Sequence, residues 1–278
     1  MARVASLFHY PVKGCAGVEL REGVLGLAGL EHDRTFMVVD SEGRFLSQRR
    51  DPRLAVIRPA LGEDARRLTL AAPGIEPIDV AVDTGEDTGA RTDVWIHGEP
   101  YRGVDQGDRV AEWLSTWLAR PCRLVRVPPE HDRVTGGETS GTAGFADSTA
   151  VLVVSTRSLE ELNTRLAGKD LPALPMNRFR PNVVVEGWSE PHEEERARRV
   201  EVGEAELGFA KVAIRCVVTT VDQATGERRG PEPLRTLAEY RRVPGGVVLG
   251  ARFAVTRTGK LSVGDEVRVT RWAAAPEE

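Results

Sequence analysis

The chain has 278 residues, 38 Lys and Arg against 42 Asp and Glu (a formal net charge of −4), 41% hydrophobic and 29% charged residues, and three cysteines. That length buries a core without disulfide or metal staples, and the composition is that of a soluble globular protein. The acidic balance argues against non-specific nucleic-acid binding, no apolar run approaches the roughly 20 residues of a membrane helix, and scattered cysteines argue against a disulfide framework or a CxxC metal site.

The N-terminal segment alternates as a strand ("RVASLFHY") and shows no long apolar run followed by a cleavage site. With free cysteines this predicts a cytoplasmic, reducing location, with no nucleic-acid and no membrane partner. "TFMVVD" and "GRFLSQRR" flank the turn signal Asp40-Ser41-Glu42-Gly43 and predict a hairpin. "LTLAA", "IDVAV" and "DVWIHG" read as further strands, with an exposed loop over residues 83–93. In "GDRVAEWLSTWLARP" the period changes. Val110, Trp113, Leu114, Trp117 and Leu118 share a helical face, Asp108 is the predicted N-cap and Pro121 stops the run.

Residues 127–145 are rich in Pro, Gly and Thr and read as a linker or loop. "STAVLVVSTRSLEELNTRL" predicts a strand and then a helix opened by a Ser158/Glu161 capping box, with Leu159, Leu162 and Leu166 as its apolar stripe. "PNVVVEG", "RRVEVGEAELGFAKVAIRCVVTT" and "KLSVGDEVRVTRW" are β-rich, and "PEPLRTLAEYRR" a short helix. The fold class is therefore mainly β with peripheral helices (α+β), arranged as two barrel-like units. Weak βαβ alternation and the lack of GxGxxG after a strand argue against a dinucleotide fold.

Four segments combine unusual residue choices. In "YPVKGCAG", Lys13 sits in a turn whose glycines, Gly14 and Gly17, permit close approach of a ligand. In "LEHDRTFMVVD", Arg34 precedes a buried-looking strand, and Asp33 offers it an ordinary ion-pair partner. Ser148 and Thr149 stand at a strand entrance, and Arg180 and Asn182 flank Pro181, which predicts an extended backbone at Arg180. A turn lysine, a surface ion pair and local Ser/Thr turns account for these singly. Together they supply charge-assisted donors for an anion. In "IRCVVTTVDQATG", Cys216 and Asp222 share strand parity. Six residues of strand span roughly 20 Å, so the two meet one ligand only if the chain bends after Thr220. A buried hydrophobic cysteine and a thiolate ligand both remain open there.

"YPVKG", "GLEHDRTFMVVD", "FLSQRRDPRLAVI", "NRFRPNVVVEG" and "RCVVTTVDQATG", in this order, resemble the MOSC-domain proteins with an N-terminal MOSC β-barrel domain, the group of the mitochondrial amidoxime reducing component and its bacterial relatives. The resemblance spans nearly the whole chain. It implies a MOSC N-terminal β-barrel-like domain over residues 1–104 and a MOSC β-barrel domain over 105–272. It implies a molybdenum cofactor in the molybdopterin form, with Cys216 as metal ligand and catalytic residue. Asp222 would be an acid–base residue near the metal, and Lys13, Gly14, Arg34, Ser148, Thr149, Arg180 and Asn182 would be cofactor contacts. Gly14 stands where these relatives usually have Ser, so one hydroxyl contact is lost. No cysteine follows Cys216, so no iron–sulfur cluster is expected in this chain.

The activity implied is reduction of N-hydroxylated or related N–O and S–O small molecules by a molybdenum oxidoreductase. Its electrons would come from a separate donor protein of the ferredoxin or flavin-reductase type. The alternatives are a sulfur carrier using a Cys216 persulfide and a non-catalytic cofactor carrier.

Overall fold

The computed structural model describes residues 1–62, 64–84 and 91–274, so most of the loop expected over 83–93 lies outside the described residues. The molecule is mainly β, and among the described residues it forms three α-helices. The largest sheet runs Val267–Trp272, Ala197–Val202, Ala205–Arg215, Gly246–Arg257, Val151–Ser155, Val183–Glu186, Arg3–His9 and Val18–Leu20 in spatial order. Its neighbours are antiparallel except Val151–Ser155 with Val183–Glu186, a parallel pair joined through helix α2 (Thr156–Ala167). One βαβ crossover is thus built into a chain whose sequence showed little βαβ alternation.

A second sheet orders Thr92–Ile96, Glu99–Asp105, Cys122–Arg126, Phe36–Asp40 and Val12–Lys13. Helix α1 (Asp108–Leu118) packs its Val110, Trp113, Leu114 and Leu118 face on this half, together with Leu54, Leu68 and Leu70. A three-stranded meander, Arg58–Leu61, Arg67–Ala72 and Ile75–Ala81, completes it.

Sheet membership does not follow chain order. Strand Arg3–His9 pairs with Val183–Glu186, and Glu22–Gly26 pairs with Gly259–Ser262. Cys122–Arg126 pairs instead with Phe36–Asp40. The chain therefore leaves the large sheet at Tyr10–Pro11 and joins the smaller one at Val12–Lys13.

Several local expectations are corrected. The second arm of the 36–50 hairpin is only an isolated bridge, Val39 to Phe45. Residue 107, not Asp108, is the N-cap of α1, with φ +91°. Ser155, not Ser158, caps α2, its side chain accepting the Ser158 N–H. The strand carrying "VAIRCVVTT" ends at Arg215, Cys216 is still extended, and residues Val217–Thr220 form a 3-10 turn, so the bend comes directly after Cys216 rather than after Thr220. Arg180 has φ +56°, not an extended backbone. Proline disfavours the right-handed helical region for the residue before it, and here the left-handed region is taken instead.

Candidate functional site

A cavity of about 320 Å³ lies where the two sheets meet. Cationic side chains dominate its lining: Lys13, Arg34, Arg49, Arg180, Arg215 and Arg252, against the single carboxylate of Asp147. Each arrives by a different local device. Lys13 and Gly14 follow the crossover at Tyr10–Pro11, with Gly14 at φ +84°. His97 sits at the tip of a two-residue hairpin, where His97 and Gly98 both take positive φ (55° and 90°), the signature of a tight turn. Arg252 lies between Ala251 and Phe253, both in the core of the large sheet, so strand alternation aims it the other way. Arg215 is the last residue of its strand, and Cys216 follows it at the cavity wall, half-buried.

Three non-glycine residues with positive φ, Arg34 (49°), His97 and Arg180, line this one cavity. Such backbone costs on the order of 1–3 kcal/mol each and clusters where a site over-determines it. For Arg34 and Arg180, Tyr10 is the support. The Arg34 and Arg180 guanidiniums lie 4.2 and 4.3 Å from its ring centroid, and its hydroxyl donates to Pro181 O at 3.0 Å. Gly17 is fixed by the same ring, since a Cβ there would stand 2.6 Å from Tyr10 Cε1. Arg34 also pairs with Asp33 at 2.5 Å and donates to Asn182 Oδ1 at 3.1 Å.

The electrostatics follow from burial. Lys13 is buried, which pushes its ammonium down to about 8; Asp147, to which it donates, opposes the shift. Burial works against the charge of Asp147, but Lys13 and His97 hold its carboxyl well below the usual range. Arg215 is pushed down to about 10 by burial, with the Arg252 charge adding to it. The Arg215 Nε and Nη1 and the Thr149 Oγ1 are buried without a hydrogen-bond partner among the described residues. Buried donors left this way are costly, so a polar ligand here would be well met.

The structure brings Lys13, Gly14, Arg34, Ser148, Thr149, Arg180, Asn182 and Cys216 to this one cavity. Asn182 is spent on the protein: Oδ1 accepts from Leu152 N and Arg34, and Nδ2 donates to Phe8 O. Asp222 is not in the lining. Its carboxylate accepts the N–H groups of Ala224 and Thr225 and pairs with Arg178 (3.3 Å) and Arg229 (3.4 Å). Sequence reasoning missed Gln48, Arg49, His97, Asp147, Arg215 and Arg252. Two had a signal: Arg215 stands directly before Cys216, and Arg252 is a lone charge in the apolar run "VVLGARFAV".

Residues 1–121 match the family model for the MOSC N-terminal beta barrel domain and residues 140–268 that for the MOSC domain. The chain is 32% identical over 287 residues to mitochondrial amidoxime-reducing component 1 of Mus musculus, a match covering 95% of this chain and 81% of that protein. The Homo sapiens protein of the same name is 31% identical over 283 residues, covering 95% and 82%. Molybdenum cofactor sulfurase of Danio rerio is 34% identical over 283 residues, which cover 95% of this chain but 34% of that longer protein.

Proposed function

The chain belongs to the family that joins a MOSC N-terminal β-barrel domain to a MOSC domain, and on that premise we propose that its cavity holds a molybdenum cofactor in the molybdopterin form. The observation that carries this reading is the lining: six cations and one carboxylate around a half-buried thiol. The residues fit the group. A terminal phosphate needs several charged donors, and Lys13, Arg34, Arg180, Arg215 and Arg252 offer them. A polar ring system needs neutral partners, and the unpaired Thr149 hydroxyl is one. A soft thiolate suits a high-valent metal, and Cys216 supplies it.

When bound, the cofactor supplies two-electron redox chemistry, and we assign the protein reduction of N-hydroxylated or related N–O and S–O compounds: substrate, two electrons and two protons give the deoxygenated product and water. The electrons come from a separate donor protein of the ferredoxin or flavin-reductase type. In this reading Cys216 ligates, the arginines orient, and the buried walls of the cavity limit water. Asp147 faces the cavity with Lys13 and His97 against it; held well below the usual carboxylate range, it stays ionised and fixes the Lys13 ammonium in place. Asp222, engaged with a turn and two arginines, contributes through that turn.

Protein made in a host that synthesises the cofactor should carry one molybdenum and one pterin per chain. It should reduce amidoxime-type compounds with reduced viologen and be inert with NAD(P)H alone. Cys216→Ala should lose most metal and activity while retaining part of the pterin. Wild-type turnover by that variant would remove the ligand assignment. The 34% identity to a sulfurase, of which the chain spans 34%, favours one second reading, sulfur transfer from a Cys216 persulfide. Metal-free protein whose Cys216 carries one added sulfur in the mass spectrum would favour it over reduction.

A further inference from the structure

We propose that Gln48 and Gln223 form an amide latch that positions the Arg180 guanidinium in the cavity, and that Asp222 serves the site by holding the turn that delivers Gln223. The inference rests on the cavity being an anion site.

The two amides bond reciprocally across the junction of the two halves: Gln48 Nε2 donates to Gln223 Oε1 at 3.1 Å, and Gln223 Nε2 donates to Gln48 Oε1 at 2.9 Å. The ends of the pair fix which atom is which. Gln223 Oε1 also accepts from Arg180 Nη1 at 3.1 Å, and a guanidinium only donates. Gln48 Nε2 donates to Gly14 O at 2.7 Å and Gln223 Nε2 to Val221 O at 3.1 Å, and carbonyls only accept. Flipping either amide would set donor against donor or acceptor against acceptor, so the chain Gly14–Gln48–Gln223–Arg180 has one polarity. Gln48 is 1% exposed, which makes its partners hard to replace with water.

Arg180 needs such a support. It shares the Tyr10 ring with a second cation, Arg34, and its backbone is at φ +56°. The Gln223 oxygen is the hydrogen-bond acceptor its guanidinium meets among the described residues. A carboxylate in that place would hold the guanidinium and cancel its charge. An amide holds it and leaves the charge for a ligand. Gln223 stands where it does because Asp222 closes the turn after it: Asp222 Oδ1 accepts from Ala224 N at 2.9 Å and Thr225 N at 3.2 Å, and Gly226 N donates to Asp222 O at 2.8 Å.

The test uses the full chain free of cofactor and inorganic pyrophosphate as the probe, with affinity read by calorimetry and folding by thermal melts. Gln223→Met keeps side-chain length and removes the acceptor. It should weaken pyrophosphate about tenfold, the scale of one hydrogen bond to a charged group. Gln48→Met should weaken it less, and the double variant no more than Gln223→Met alone, because the two act as one unit. Gln223→Glu keeps the acceptor for Arg180 but cancels its charge and sets an oxygen against Gln48 Oε1 and Val221 O, so it should lower the Tm and weaken pyrophosphate at least as much as Gln223→Met. A lower Tm with unchanged affinity in Gln223→Met would make residue 223 merely structural and overturn the latch, as would single effects that add in the double variant. Arg180→Met separates the two levels. If it weakens pyrophosphate while Gln223→Met does not, the anion site stands and the latch falls. If neither wild type nor any variant binds pyrophosphate, or Arg180→Met binds it unchanged, the anion-site reading fails and the latch with it.

Discussion

Lys13 shows how a single residue makes the cavity sensitive to pH. Its Nζ donates to Phe145 O at 2.8 Å and to Asp147, and it stands 4.9 Å from the Phe45 ring. Burial lowers its ammonium to about 8, so the cation is present below that pH and lost above it. An anion held by Lys13 should therefore bind less tightly as pH rises through about 8, and Lys13→Arg, charged throughout, should flatten that profile in pyrophosphate calorimetry. The folding term has its own sign. The folded group lets its proton go before the unfolded one, so between about 8 and 10.5 the unfolded chain binds more protons and stability rises with pH. Lys13, Arg34 and Cys216 were legible in the sequence because each sits in a short motif. Asp147 was not, because it sits in a loop with no motif of its own and only the fold sets it against Lys13 and His97.

At the scale of elements, helix α2 and the turn beneath it form a buried polar unit away from the cavity. Ser155, Ser158 and Glu194 are all 0% exposed, with Ser158 Oγ donating to Glu194 Oε1 at 2.7 Å. Removing the cap with Ser155→Ala should cost about 1–2 kcal/mol, read as a lower denaturation midpoint. Beside it, burial pushes His192 down to about 4 and Glu195 up to about 7, with His192 Nδ1 3.8 Å from Glu195 Oε1 and Nε2 2.9 Å from Glu161. Their slopes oppose. As pH falls from 6.5 toward 4 the unfolded chain protonates its histidine first and stability is lost, whereas Glu195 protonates first in the folded state and stability is gained. His192→Gln removes the first effect, so its Tm relative to wild type should climb as pH drops through that window. A difference that stays flat with pH would show that His192 remains ionised in the fold. The helix and its apolar stripe were readable from period. The cap was misplaced by three residues because Ser155 and Ser158 offer the same chemistry, and only the Ser155 side chain meets the free N–H.

Across the whole molecule, most strands were legible from alternation, but their partners were not. A strand's period says which face is buried and nothing about what it pairs with. Val4, Leu7, Leu25 and Leu30, all from the first 30 residues, are buried in the same core as Val183, Phe253 and Leu261. A fragment of residues 105–278 should therefore show no cooperative melt by circular dichroism, since it lacks the strands that cover Val183–Glu186 and Gly259–Ser262. A sharp transition in that fragment would mean the second half needs no help from the first. The crossover at Tyr10–Pro11 also has a consequence in time. Lys13 and Arg252 face the same cavity but are 252 − 13 = 239 positions apart. At roughly 5–20 residues per second, the ribosome delivers the last cationic wall about 12–48 s after the first. Strand Arg3–His9 waits for Val183–Glu186 through the first part of that interval, Arg180 and Arg215 follow, and only when Arg252 has emerged can all the cations that face the cavity act on one ligand.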